Sequence, residues 1–281
     1  MKPYYADDSV TLYHGDMREI IPQLRLQADL IIADPPYGET SLEWDRWPDG
    51  WLKMASTVAS TMWCWGSMRM FIDRAAEFAN WKISQDIVGY NNEGEPLFAD
   101  VNVVWEKHNG SGFAADRFRR VHEHVVHWYT GPWSDIRHEV PIVAHDGPYR
   151  GTRRAARAGS EHLGANNGHN LPWIDRGTRL MRSVIYARSM KGRAIHPTEK
   201  PVDVLVPLIE YACPAGGVLL DPFAGSCSSG VAARLTGRRA VLIEADEQMC
   251  ERAVRERLLQ DVLPFPTTPP AIAPGEERAP S

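Results

Sequence analysis

The chain has only four cysteines in 281 residues, Cys64, Cys213, Cys227 and Cys250, and no two stand close together. Without a Cys-x-x-Cys pair or a dense cysteine cluster, neither a disulfide framework nor a zinc site is indicated. No apolar run approaches the roughly 20 residues that a membrane span requires. The N-terminal residues are polar and carry no secretory pattern, so no membrane partner is expected and a cytoplasmic location is. No internal repeat is apparent. Positive charge is not in excess either. The net charge of −5 argues at first sight against a polyanionic partner. What is present is a 43% hydrophobic content on a chain long enough to bury a full core, as one large domain or one domain with an insertion.

The distribution of charge reverses the first impression. Residues 105–200 hold 16 Lys and Arg against 9 Asp and Glu, a local +7, which leaves the remainder at −12. Within that stretch Arg150, Arg153, Arg154 and Arg157 cluster beside Tyr149, and Arg176, Arg179 and Arg182 recur at three-residue spacing. Any one of these arginines is most simply a solvated side chain. As a group mixed with Tyr149, Trp133 and Trp173 they suit phosphate contact, guanine readout and base stacking. Nine of the ten histidines also lie between His108 and His196. The run His122-Glu123-His124-Val125-Val126-His127 places its second histidine one position too late for His-Glu-x-x-His, and its alternation fits a strand, so no metal site is expected.

The most informative tetrapeptide is Asp34-Pro35-Pro36-Tyr37, directly after the apolar run Ala28-Asp29-Leu30-Ile31-Ile32-Ala33. A short apolar run bounded by Pro and Gly reads as a buried strand of a parallel sheet. The tetrapeptide therefore falls at a strand's carboxyl end, where open α/β sheets bind ligands. An exocyclic amine on a nucleobase is a poor nucleophile because its lone pair is delocalised into the ring. A carboxylate and an outward-turned carbonyl can each accept one of its N–H groups and localise that lone pair. The two prolines fix the turn that presents the acceptors, and Tyr37 offers an aromatic face for an extruded base. A surface turn could have the same composition; the strand before it favours a site.

A second signal begins as a strand at Gly217-Val218-Leu219-Leu220 and breaks into Asp221-Pro222-Phe223-Ala224-Gly225-Ser226, a turn of small residues leading into a helical stretch. Small residues let backbone approach a nucleoside while helix-terminal N–H groups face it. A third strand over residues 239–243 then ends in Glu244, about 20 residues on, where an acidic side chain can accept from ribose hydroxyls.

Together these segments resemble the S-adenosylmethionine-dependent amino-methyltransferases of DNA, and their order resembles the beta class: Asp-Pro-Pro-Tyr first, a target-recognition segment next, the Asp-Pro-Phe-x-Gly loop last. The match also takes in His14-Gly15-Asp16, Val103-Val104-Trp105-Glu106-Lys107, His122-Glu123, Arg182-Ser183-Val184-Ile185 and His196-Pro197-Thr198-Glu199-Lys200-Pro201. The resemblance implies a doubly wound, Rossmann-like α/β sheet with an inserted recognition segment. It implies a catalytic half over residues 1–107, an insertion over 108–195, a cofactor half over 196–262 and a disordered tail over 263–281. Asp34 and the Pro35 carbonyl would bind the amine, with Pro36 shaping the turn and Tyr37 stacking on the base. S-adenosylmethionine would meet Asp16, Asp221, Pro222, Phe223, Ala224, Gly225, Ser226, Glu244 and Ala245, with Lys200 near its methionine end. Arg150, Arg153, Arg154 and Arg157 would contact double-stranded DNA. A homodimer and a restriction partner are left open. Asp at position 34 favours adenine N6 over cytosine N4, whose enzymes more often carry Ser there, and no cysteine follows a proline as cytosine C5 chemistry would want. Family members usually carry glycine where Cys227 stands, so Cys227 is expected to fit only if the backbone there does not need a positive φ. A DNA-binding protein that has lost catalysis is the alternative that this residue supports.

The remaining chain reads as strands at 10–13, 61–65, 83–90 and 101–106. Helices are expected at 51–60, 68–80, 201–211 and 247–259, and residues 109–194 are expected to be irregular.

Overall fold

A computed structural model describes residues 1–90, 96–100, 102–111, 115–116, 118–144 and 178–260. Among these, ten strands form one mixed sheet. The chain opens with β1 (Tyr5–Ala6), β2 (Val10–His14), α1 (Met17–Leu24), β3 (Leu30–Ala33), α2 (Trp51–Ala55), β4 (Thr61–Gly66) and α3 (Met68–Asp73). Then come β5 (Lys82–Ile83), β6 (Gln85–Tyr90), β7 (Pro96–Asp100), β8 (Asn102–Ser111), β9 (Arg120–Tyr129), β10 (Ile142–Ala144), β11 (Thr178–Leu180) and β12 (Val184–Tyr186). It continues through α4 (Val202–Ala212), β13 (Val218–Asp221), α5 (Ser228–Leu235), β14 (Arg239–Glu244) and α6 (Glu247–Ala253), which runs on into a π-helical turn at Val254–Leu258. Strands β6 with β7 and β10 with β11 form two small separate ribbons.

The main sheet has the order β1-β2-β14-β13-β3-β4-β9-β8-β12, with β5 pairing β9. Strands β2, β14, β13, β3 and β4 are parallel. Every residue of β3 and β4 is buried, as expected for parallel strands covered on both faces. The two-residue period of the strands sorts their side chains. Leu30, Ile32, Trp63, Trp65, Leu219 and Leu242 face one side, where α4 and α5 cover them. Ile31, Ala33, Met62, Cys64, Leu220 and Ile243 face the other, against α1 and α2. Each buried Leu, Ile and Met side chain among them contributes about 1.5–3 kcal/mol, and the sheet is sandwiched in a doubly wound α/β fold. From β3 the chain winds outward to β4, and from β13 it winds the opposite way to β14. The carboxyl ends of β3 and β13 therefore flank a topological switch point, where such folds open a ligand crevice.

Several local expectations are corrected. Helix α1 was not anticipated because Pro22 interrupts its pattern; Asp16 nonetheless caps it, accepting from the Arg18 N–H at 2.8 Å. Helix α2 stops at Ala55 instead of residue 60. Ser56 and Thr57 turn their hydroxyls back onto the carbonyls of Lys53 and Met54, competing with helix propagation. Helix α3 gives way to turns after Asp73. The strand expected at 83–90 is split between two sheets at Ser84, whose hydroxyl bonds His127. Residues 109–194 are not irregular throughout. Strand β9 lies in the main sheet, antiparallel between β4 and β8, and β12 closes that edge. Among the described residues no helix is long and apolar enough to cross a membrane.

His127, fully buried on β9, is held by Thr61 Oγ1 at 2.6 Å and by Ser84. Burial, with a smaller contribution from His138, lowers its pKa from 6.5 to about 3. The unfolded chain therefore takes up the proton first. The stability contributed by the neutral ring is complete above pH 6.5 and is lost as pH falls toward 3. By pH 5 that loss is on the order of 2 kcal/mol. The free-energy difference between wild type and His127→Gln, measured by urea unfolding, should narrow by that amount between pH 7 and pH 5. A difference that does not vary with pH would mean that the ring titrates normally.

Candidate active site

A cleft of about 1220 Å³ opens over the switch point. It exceeds the roughly 300–1,000 Å³ of a single small-molecule site, enough for two ligands to meet. Asp34, Pro35, Pro36 and Tyr37 line it from the end of β3, Asp221 through Ser226 from the end of β13, Glu244 and Ala245 from β14, and Asp16 from β2. His196 and Lys200 enter on the loop before α4. All the catalytic and cofactor-binding residues expected from the sequence thus meet in one cavity. Arg150, Arg153, Arg154 and Arg157 lie outside the described residues.

The Asp34 carboxylate is held at both oxygens. The Tyr37 hydroxyl donates to Oδ1 at 2.6 Å, and the Lys200 ammonium pairs with Oδ2. Each oxygen keeps a further acceptor position for a ligand N–H. Tyr37 lines the cleft, fixed by its hydroxyl, and burial followed by Asp34 raises its pKa well above 10. Lys200 also donates to the Thr198 carbonyl at 3.2 Å. The resemblance placed Lys200 near the methionine end of the cofactor; the structure puts its charge on Asp34.

Glu244 accepts from the Gly225 N–H at 2.7 Å and the Asp246 N–H at 2.8 Å, which fixes the carboxylate at the cleft. Gly225 has φ +47°, and a Cβ there would sit 3.4 Å from the His196 ring, so the turn is built for close approach to the backbone. Asp221 is buried beneath this turn, accepting from Ser229 Oγ and from the Phe223 N–H at 3.0 Å. Desolvation drives its pKa up to about 7 against those two bonds. Asp16 lies at the edge, where the Arg18 guanidinium, ahead of opposing desolvation, holds its carboxyl below the usual range.

Cys227 has φ +61°, so the turn does need a left-handed residue, and the condition under which cysteine was expected to fit is not met; the chain adopts the dihedral with cysteine in place. The turn ends one residue before α5 and must reverse there, at a cost of about 1–2 kcal/mol for a residue with a Cβ. The side chain packs into the core beside Ala224 and Ala232 and is not among the residues lining the cleft. Its thiol, raised by burial, is structural.

Several lining residues escaped the sequence reading or entered it only as family matches. Glu123 and Lys107 pair with each other, and Arg120, His122, His124 and Lys191 also line the cleft. Trp44, half exposed on the loop after Tyr37, packs on the His196 ring at 5.7 Å between centroids. The cleft thus carries charges of both signs: Asp16, Asp34 and Glu244 suit a cationic nucleoside ligand, and Lys107, Arg120 and Lys191 suit a polyanion. Among the described residues, no group of three or more His, Cys, Asp or Glu is placed to hold a metal ion.

Comparison with known proteins agrees with this geometry. The family profile described as DNA methylase, N6_N4_Mtase, matches residues 28–255. The chain is 27% identical over 271 residues to the type II methyltransferase M.ScaI of Streptomyces caespitosus, covering 90% of this chain and 83% of that protein. It is 24% identical to M2.DpnII of Streptococcus pneumoniae over 92% of each chain. In fold it is similar to M1.HpyAVI, solved as a complex with SAM, with a TM-score of 0.56 at 19% identity over 88% of this chain and 98% of that one. It is also similar to the cytosine-N4-specific PvuII DNA methyltransferase, with a TM-score of 0.54 at 12% identity over 93% and 91%.

Proposed function

This chain belongs to the N6_N4_Mtase family of DNA methylases, and we propose that it transfers the methyl group of S-adenosylmethionine to N6 of adenine in double-stranded DNA at a short specific sequence. The observation that carries this reading is the meeting, in one cleft, of Asp34 at the end of β3 with Glu244 and the Gly225 turn at the ends of β14 and β13. Glu244 would hold the cofactor's ribose, Asp16 its adenine, and the turn from Asp221 to Ser226 its remaining surface. The cofactor supplies an electrophilic methyl group. Asp34 accepts one N–H of the target amine and the Pro35 carbonyl the other, which localises the nitrogen lone pair. Tyr37, fixed through Asp34, stacks on the extruded base. Methylation makes the amine strongly acidic, so its proton leaves without a dedicated base, and the protein's contribution is positioning and electrostatics. Asp at position 34 supports adenine over cytosine. Cys227 does not support the catalytically inactive alternative, since it is buried in the core and does not line the cleft. Transfer of label from methyl-labelled S-adenosylmethionine to duplex DNA tests the activity. Binding of DNA without transfer would favour the inactive reading.

Arg150, Arg153, Arg154 and Arg157 are proposed to contact the DNA backbone. Affinity should fall steeply with salt through counterion release. Replacing Arg153 and Arg154 by Ala should weaken binding and flatten the slope of log affinity against log salt by up to about two units. A slope equal to wild type would place the backbone elsewhere.

A further inference from the structure

Asp34 is the end of a chain of alternating charges that crosses the cleft. Lys200 pairs with Asp34 and lies 3.5 Å from Glu123 Oε2; Glu123 Oε1 in turn pairs with Lys107. The four groups come from four places, the end of β3, the loop before α4, β9 and β8. Lys200 is only 8% exposed, and its ammonium has as many acceptors as protons: Asp34 Oδ2, Glu123 Oε2 and the Thr198 carbonyl. The Trp65 ring lies beneath it, 5.1 Å from Nζ, and the Trp105 ring lies at 5.0 Å from Lys107 Nζ. Neighbouring Glu199 anchors the loop. It accepts the Arg257 guanidinium at 2.9 Å and the Ile195 N–H at 2.7 Å, so the Lys200 backbone is clamped from the opposite side. Burial opposes charge at both Lys200 and Glu123. The surrounding opposite charges prevail, raising the pKa of Lys200 and lowering that of Glu123.

We propose that Glu123 and Lys200 are positioning residues for Asp34: Glu123, steadied by Lys107, fixes the ammonium that holds one carboxylate oxygen, so that the carboxylate meets the target amine at a set angle. This rests on the reading of Asp34 as the amine acceptor. A carboxylate with a free torsion would share its orientations among several rotamers, and a buried three-point ammonium removes that freedom before the base arrives. Glu123 and Lys107 lie on β9 and β8, within the stretch of residues 105–200 that carries the excess positive charge, so the same chain ties the proposed DNA-reading part to the reacting centre.

Glu123→Gln should slow single-turnover methyl transfer at least tenfold while the Kd values for S-adenosylmethionine and for duplex DNA stay within about threefold of wild type. Lys107→Met combined with Glu123→Gln removes one charge of each sign and protects against misfolding from an unpaired buried cation; it should be slowed to the same degree. Rates within twofold of wild type in Glu123→Gln, a loss that follows the Kd values, or a wild-type rate in the double variant would each overturn the proposal. If the wild type itself transfers no methyl group to DNA, the activity reading fails separately. Urea unfolding of Asp34→Asn, Glu123→Gln and their combination then decides: non-additive effects support the linkage, and additive ones overturn it.

Discussion

Asp34→Ala is expected to lower the single-turnover rate of methyl transfer to DNA by about a thousandfold, the upper end of what removing one preorganised electrostatic contact costs. Affinity for S-adenosylmethionine should stay within a few-fold, because the proposed function has Asp34 act on the amine and Glu244 meet the cofactor's hydroxyls. The substitution also frees the Tyr37 hydroxyl and one Lys200 proton. Lys200 keeps Glu123 and the Thr198 carbonyl, so its charge is not stranded and the variant should remain folded. Asp34→Asn is the informative companion, since it preserves the shape and one acceptor while replacing the other with a donor. Both rates should be read beside a calorimetric cofactor titration. A variant that loses activity and cofactor binding together would move Asp34 from the amine to the cofactor.

The second large effect is at Glu244. Its carboxylate is oriented by the Gly225 and Asp246 N–H groups and keeps acceptor capacity toward the cleft. Two charge-assisted bonds to vicinal hydroxyls, at about 1.5–3 kcal/mol each, imply that Glu244→Ala raises the Kd for S-adenosylmethionine by at least about a hundredfold. With cofactor at saturation, the transfer rate should recover to within several-fold of wild type, the signature of lost uniform binding. An unchanged Kd would remove Glu244 from the cofactor site. A rate that stays low at saturation would mean that the Gly225 turn collapses without its anchor.

The sheet's centre was legible because it obeys simple local rules. Leu30 to Ala33 and Val218 to Asp221 are short apolar runs closed by Pro, and their ends had to face the crevice of a parallel sheet. Glu244 was legible by its offset from the Gly-rich turn. What sequence could not supply was which distant charges meet. Lys200 lies 166 residues from Asp34 along the chain, and nothing in the composition of 196–201 says that the ammonium turns to Asp34. Glu123 read as one residue of an alternating strand, and only the insertion of β9 between β4 and β8 carries it to the cleft. Helix α1 was hidden by Pro22, and α2 was overextended because the hydroxyls of Ser56 and Thr57 do not register in an apolar count. The left-handed turn at Cys227 was the reverse case. The usual glycine signalled the dihedral, and the chain adopts it with a cysteine.

The central claim is that Asp34 presents the N6 amine of adenine for methyl transfer. Its most direct test is nucleoside mass spectrometry of unmethylated duplex DNA after incubation with the protein and isotopically labelled S-adenosylmethionine, with Asp34→Ala in parallel. Label in N6-methyldeoxyadenosine with wild type, and about a thousandth as much at the same early time with Asp34→Ala, is the result predicted here. Label confined to N4-methyldeoxycytidine, or equal incorporation by the two proteins, would contradict it.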